Sequence, residues 1–213
     1  MESPLCTEIP SNCRLIETFR FDPKAGAVHI SLHLKRMEHS AKALGFPFCH
    51  KTALTEISNL KSQRPLRCRL TLGELGDFDL ESEALGDTKP VWKIAIADQK
   101  LCSSDPWLLH KTTQRRIYDE ARSTLPKELD ELLFVNEKGE VCEGTITNVF
   151  VQLIDGGWIT PPLMSGCLPG ILRQIKLQSG AVREAVVTIN ELLKYRQIRV
   201  GNSLRGEILA ELL

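Results

Sequence analysis

Four segments of this chain carry residues whose types and spacing could do chemistry. Lys111 lies in HKTTQRRIYDEA (110–121), directly after the apolar Trp107, Leu108 and Leu109. Partial burial would lower the lysine pKa and make its amine a nucleophile able to form a Schiff base with a carbonyl. The plain alternative is a solvated lysine at a domain junction. Glu143 opens EGTITNVF (143–150). A carboxylate there could keep a pyridinium nitrogen protonated and so make the ring an electron sink, or it could simply be a turn residue. In LPGILRQ (168–174), Gly170 precedes a helix start whose unpaired N–H groups and dipole favour a phosphate. An ordinary Pro-Gly helix start reads the same way. In HLKRMEHSA (33–41), Arg36 shares a helix face with Ser40. Pointing inward it would need an anionic partner such as a phosphate, and pointing outward it is a surface residue.

The elements that must position these residues follow from local signals. Residues 15–20 read as a strand, 22–26 as a Pro- and Gly-containing turn, and 27–30 as a returning strand. Ser31 is the expected cap of a helix in which Leu34, Met37, Ala41 and Leu44 recur at helical spacing and which Gly45 ends. A second helix is expected over 52–60 and strands over 66–72 and 92–97. Beyond a polar boundary near 98–107, the pattern predicts a helix over 114–123, strands over 132–135, 149–154 and 158–160, and a helix running from 170 to about 178. A strand (184–187), a helix (188–195) and a strand (197–200) complete it. Residues 136–139 read as a hairpin turn. Strands and helices mix without strict alternation, which favours an α+β fold.

Composition narrows the class of function. Lys and Arg total 27, Asp and Glu total 27, and 42% of residues are hydrophobic. Neither half of the chain is basic, so no nucleic-acid or membrane-surface partner is expected, and any bound anion must be gripped locally. Seven cysteines, Cys6, Cys13, Cys49, Cys68, Cys102, Cys142 and Cys167, are widely spaced and form no C-x-x-C pair. They read as free thiols of a cytoplasmic protein rather than as a zinc site or a disulfide framework. No metal is expected, the polar start MESPLCTEIPSNCR carries no signal pattern, and no apolar run reaches membrane-spanning length.

Taken in order, LIETFR (15–20), HLKRMEHSA, HKTTQRRIYDEA, EGTITNVF, LPGILRQ and VGNSLRGEI (200–208) resemble the fold-type-IV pyridoxal-phosphate enzymes, also called class IV aminotransferases. That family includes branched-chain and D-amino-acid aminotransferases and 4-amino-4-deoxychorismate lyases. The resemblance implies a small N-terminal α/β domain (1–100), a linker (101–110) and a larger C-terminal domain (111–213) with a barrel-like sheet, with pyridoxal 5'-phosphate in the cleft between domains and a homodimer as the assembly. It implies that Lys111 is the Schiff-base lysine, that Glu143 pairs with the pyridine nitrogen, and that Arg36 binds the phosphate. Gly170, Ile171 and Leu172 would supply the helix start whose N–H groups bind the phosphate, with Leu172 replacing a Thr found in many relatives. Asn202 and Ser203 would lie near the phosphate and substrate, and Arg115 would line the site.

LIETFR and GNSLRGE look most like the lyase subfamily. The expected activity is conversion of 4-amino-4-deoxychorismate to 4-aminobenzoate and pyruvate. The alternatives are an aminotransferase of branched-chain or D-amino acids and a non-catalytic pyridoxal-phosphate-binding protein. One departure is visible: Glu17-Thr18 stands near the start, without the longer strand and Gly-Asp-Gly stretch of many relatives.

Overall fold

The computed structural model describes residues 9–192 and 194–213. Its contacts divide the chain into two compact units. One contains the chain up to Asp87 together with His110–Gln114, and the other contains Thr88–Leu109 and Arg115–Leu213.

The first unit is built from β1 (Leu15–Asp22), β2 (Gly26–Ala27), α1 (Ile30–Leu44), α2 (His50–Ser58), β3 (Leu66–Leu72) and β4 (Phe78–Ala84). The strands form one antiparallel sheet in the order β2-β1-β3-β4. The expected returning strand is only two residues long. Asp22 Oδ1 accepts the N–H groups of Lys24 and Ala25, and Gly26 takes a φ of 75° that closes the turn. The chain then enters α1 at Ile30 instead of continuing as strand. His29, with a φ of 54°, occupies the N-cap and makes no side-chain cap, so Ser31 already lies inside the helix. Gly45 ends α1 as expected, with a φ of 72°. β4 was not anticipated, because FDLESEA carries an acid at every second position and only its pairing with β3 makes it a strand.

Register explains the core of this unit. Pairing of Leu15 with Leu72, Glu17 with Leu70, and Phe19 with Cys68 puts one face of the sheet among apolar side chains. Leu34, Met37, Ala41 and Leu44 of α1 are buried with them. Glu17 is therefore a charged side chain on an apolar face, 1% exposed. It is answered from α1: Arg36 donates from Nε to Oε1 at 2.8 Å and from Nη2 to Oε2 at 2.7 Å, and His33 Nδ1 lies 2.5 Å from Oε2. A bidentate guanidinium–carboxylate pair at this depth joins strand to helix in one geometry.

The second unit contains β5 (Val91–Ile96), α3 (Arg116–Ser123), β6 (Glu131–Val135), β7 (Val141–Gly144), β8 (Asn148–Gln152), β9 (Trp158–Thr160), α4 (Ile171–Gln178), β10 (Arg183–Glu184), α5 (Ile189–Leu192), β11 (Gln197–Asn202) and β12 (Gly206–Leu212). Its strands form one mixed sheet in the order β10-β9-β8-β11-β12-β5-β6-β7. Trp92, Ile94, Leu133, Val135, Val149, Val151, Val200 and Ile208 fill one core, and Tyr118 of α3 packs with Phe134 and Cys142 in a second. The fold is α+β with a curled, barrel-like sheet, as anticipated.

The division of the chain differs from the boundary anticipated at 101–110. β5 pairs in parallel with β12 and β6, and Leu101 N–H donates to Val135 O at 2.9 Å, so both β5 and the segment after it belong to the second unit. β12 was missed because GEILAEL is rich in helix formers, whereas the Asn202–Gly206 turn delivers it antiparallel to β11. Among the described residues no helix is long and apolar enough to cross a membrane. The six described cysteines are free thiols, and Cys6 lies outside the described residues.

Burial pushes the Glu17 carboxyl up, and the charges and hydrogen bonds of Arg36 and His33 override it, holding it at about 2 against an ordinary 4.5. A carboxyl lowered on folding stabilises above its unfolded pKa and loses that contribution as pH falls through the folded value. Unfolding free energy should therefore drop between about pH 4.5 and 2 by an amount on the order of 3 kcal/mol from this group. Urea unfolding as a function of pH should show that slope in the wild type and a flatter acid limb in Glu17→Gln. Equal slopes would remove Glu17 as the source.

Candidate active site

In the first unit, Lys111 sits on a short strap held at both ends. Ile16 N–H donates to Lys111 O at 2.7 Å, Thr113 N–H donates to Arg14 O at 2.9 Å, and Leu15 bridges Thr112. Arg14 N–H adds a bond to Thr113 Oγ1 at 3.0 Å. On the other side His110 Nδ1 lies 2.9 Å from Ser40 Oγ, and its ring stacks on His39. Lys111 is half-buried, with its backbone fixed between β1 and α1. Arg36 is on the same helix as Ser40, its guanidinium 10% exposed and forked onto Glu17. It is thus an inward-facing arginine whose orientation is set by a buried carboxylate.

In the second unit, Glu143 lies in β7, one residue before its end, and is 7% exposed. Tyr118 donates its hydroxyl to Oε1 at 2.7 Å, and Leu168 donates its N–H to Oε2 at 3.0 Å. Burial, then the Glu143 charge, push the Tyr118 phenol far up, so it remains a donor. The same two causes push the Cys167 thiol up to about 12, and Cys142 is raised likewise. Buried there, the Glu143 carboxylate suits a cationic N–H, such as a protonated ring nitrogen.

The Leu168–Gly170 turn delivers α4. Gly170 is its N-cap and offers no side chain, and a Cβ there would stand 1.8 Å from Asn148 Oδ1. A side chain here would have to displace Asn148, and the N–H groups of Ile171 and Leu172 begin the helix without a side-chain cap, a setting that suits a phosphate. Leu172 has its own reason to be apolar. A Cβ on Gly201 of β11 would stand 2.9 Å from Leu172 Cδ2, so the leucine packs where that glycine leaves room. Asn202 shapes the next turn: its Oδ1 accepts the N–H groups of Leu204 and Arg205, and its Nδ2 donates to Ile146 O at 3.1 Å. Ser203 is half-buried in that turn. Arg115 donates from Nη2 to Thr145 O at 2.8 Å and lies over the Tyr118 ring.

Glu143, Gly170, Ile171, Leu172, Asn202 and Arg115 are thus tied together within one unit, and Lys111 and Arg36 within the other. Sequence reasoning missed Tyr118, although its i, i+3 spacing from Arg115 at the start of α3 marks a shared helix face. It also missed the pairing of Glu17 with His33 and Arg36, which required the register of β1 against α1.

A family model described as amino-transferase class IV matches residues 14–209. A Schizosaccharomyces pombe protein assigned as an aminodeoxychorismate lyase is 30% identical over 184 residues, which cover 81% of this chain and 79% of the relative. Among solved structures, a Mesorhizobium loti protein assigned as an amino-acid aminotransferase superposes with a TM-score of 0.89 at 37% identity, covering 95% of this chain and 100% of that one. A Legionella pneumophila structure assigned as a 4-amino-4-deoxychorismate lyase shares the fold, with a TM-score of 0.81 at 20% identity over 100% of this chain and 90% of that one. With the family model spanning nearly the whole chain and the fold shared by its solved members, this protein belongs to the class IV aminotransferase family, the pyridoxal-phosphate enzymes of fold type IV.

Proposed function

We propose that this enzyme is a 4-amino-4-deoxychorismate lyase, releasing 4-aminobenzoate and pyruvate. The observation that carries the reading is the likeness to the Schizosaccharomyces pombe protein over 79% of that relative's length. A second reading, an amino-acid aminotransferase, is favoured by the 37% identity to the Mesorhizobium loti structure. A homodimer and a cytoplasmic location go with the lyase reading; the free thiols of the described cysteines support the location. Light scattering of the purified protein measures the assembly.

Pyridoxal phosphate, when bound, supplies an aldehyde that takes up amines and a ring that draws electrons from the amine-bearing carbon. Lys111 is the residue to hold that aldehyde carbon through Nζ. With a substrate amine bound, the same Nζ would be the group to move the proton at the amine-bearing carbon. The hydrogen bonds of Ile16 and Thr113 to the strap, and of His110 to Ser40, keep the Lys111 backbone from shifting as its side chain does this. Glu143, its two oxygens fixed by Tyr118 and Leu168, would hold a proton on the ring nitrogen. When the cofactor is bound, Arg36, oriented by Glu17, would be the first unit's ligand for the phosphate, and the N–H groups of Ile171 and Leu172, with Asn148 fixing the Leu168 turn, would be the second unit's. Gly170, by lacking a side chain, leaves Asn148 in place beside this helix start. Asn202, Ser203 and Arg115 line the substrate side. Elimination of the enolpyruvyl group as pyruvate leaves an aromatic ring, which drives the lyase direction.

The deciding experiment mixes purified protein with 4-amino-4-deoxychorismate and no keto acid. Sustained release of 4-aminobenzoate and pyruvate is expected, with borohydride trapping the cofactor on Lys111. No release, together with turnover of an amino acid only when a keto acid is added, would replace the lyase with the aminotransferase.

Glu143→Gln should retain cofactor and lose about a hundredfold in turnover, since an amide cannot match the carboxylate's hold on a ring cation. Turnover within about threefold of wild type would remove Glu143 from that role. Arg36→Ala should weaken cofactor binding by roughly tenfold or more, read by titration of apoenzyme, with excess cofactor restoring much of the activity. Unchanged affinity would remove Arg36 from the phosphate role.

A further inference from the structure

Glu131 opens β6 in none of the segments that suggested chemistry, and its exposure is 0%. Its Oε1 accepts the N–H of Leu132 and the N–H of Thr145, each at 3.0 Å, and also the Thr145 hydroxyl. Its Oε2 accepts the Ile146 N–H at 3.2 Å and the Thr147 hydroxyl at 3.0 Å. Apart from Leu132, these donors come from the three residues that join β7 to β8. Arg122 brings a positive charge to 3.6 Å from Oε1 and donates to Thr145 Oγ1 at 2.9 Å. The fit leaves no slack. A Cβ on Gly144, the residue after Glu143, would stand 2.8 Å from Glu131 Oε2 and 2.4 Å from Thr147 Oγ1.

The loop held this way is the anchor of the second unit's candidate elements. Glu143 leads into it and accepts Leu168 N–H, while Asn148 leaves it and donates to Leu168 O at 3.0 Å. Asn202 reaches Ile146 O, and Arg115 reaches Thr145 O. The start of α4, the 202–205 turn and Glu143 therefore share one support, and that support is set by a single carboxylate.

We propose that Glu131 is a positioning residue for the cofactor: it fixes the spacing between the carboxylate assigned to the ring nitrogen and the backbone groups assigned to the phosphate. This rests on the roles given above to Glu143, Ile171, Leu172 and Asn202. Glu131 acts only through the loop, so its effect should appear in how cofactor is held and not merely in stability.

Glu131→Gln preserves size and turns an amide NH2 toward donors. In folded apoenzyme, titration with pyridoxal phosphate should show affinity lowered by about tenfold or more. The absorption band of bound cofactor should shift, and saturating cofactor should leave kcat depressed. A lowered melting temperature with wild-type affinity, band and kcat would make Glu131 purely structural and overturn the proposal. If that variant does not fold, Thr147→Val removes one donor and keeps the charge. Affinity should then fall by about threefold and return in Thr147→Ser, and unchanged affinity in folded Thr147→Val would be equally fatal. Glu143→Gln run in parallel separates the layers. Impairment there with none in the Glu131 and Thr147 variants overturns this inference alone, whereas a wild-type band and turnover in Glu143→Gln overturns the underlying assignment as well.

Discussion

The constraint on which this structure depends most is the cost of removing a carboxylate from water. Glu17, Glu131 and Glu143 are all buried, and an uncompensated ion at that depth costs several kcal/mol. The chain meets the cost in distinct ways. Glu17 has a guanidinium and an imidazole from one helix. Glu131 collects backbone N–H groups and threonine hydroxyls from a loop, with Arg122 nearby. Glu143 takes a phenol and a backbone N–H. The Tyr118 hydroxyl and the Leu168 N–H hold the two Glu143 oxygens in one orientation.

The candidate site was legible where chemistry is written in contiguous residues. Lys111, Glu143 and the Gly170 helix start each have a plain alternative taken singly, and they are singled out by lying in motifs whose order along the chain resembles one family. What was not legible depended on pairing between distant residues. Glu17 looks like any strand glutamate until the register with β3 turns it toward α1. Glu131 looks like a surface acid after Asp130 until the 145–147 loop folds over it. Tyr118 reads as a helix core residue, and it does pack on Phe134, but its hydroxyl has a second use.

The fold shows the same division. Strands with continuous apolar runs, such as those around Leu133 and Val149, were readable, because burial on both faces leaves no alternative. β4 and β12 were not. Their residues favour solvent or helix, and it is the ladders to β3, β11 and β5 that make them strands. Tertiary pairing overrides propensity most easily at sheet positions whose partners are already in place.

The division of the chain has a consequence for how such a protein can be altered. His110–Gln114 belongs with the residues before Asp87, yet Thr88–Leu109 between them belongs with the rest. Neither unit is a continuous stretch of polypeptide, so no single cut in the gene isolates either one. A fragment ending at Asp87 would lack the edge strap that β1 pairs with, and the lysine it carries. Recombination between relatives that exchanges the front unit must therefore move two pieces of sequence together, or leave Lys111 on a backbone matched to a different strand.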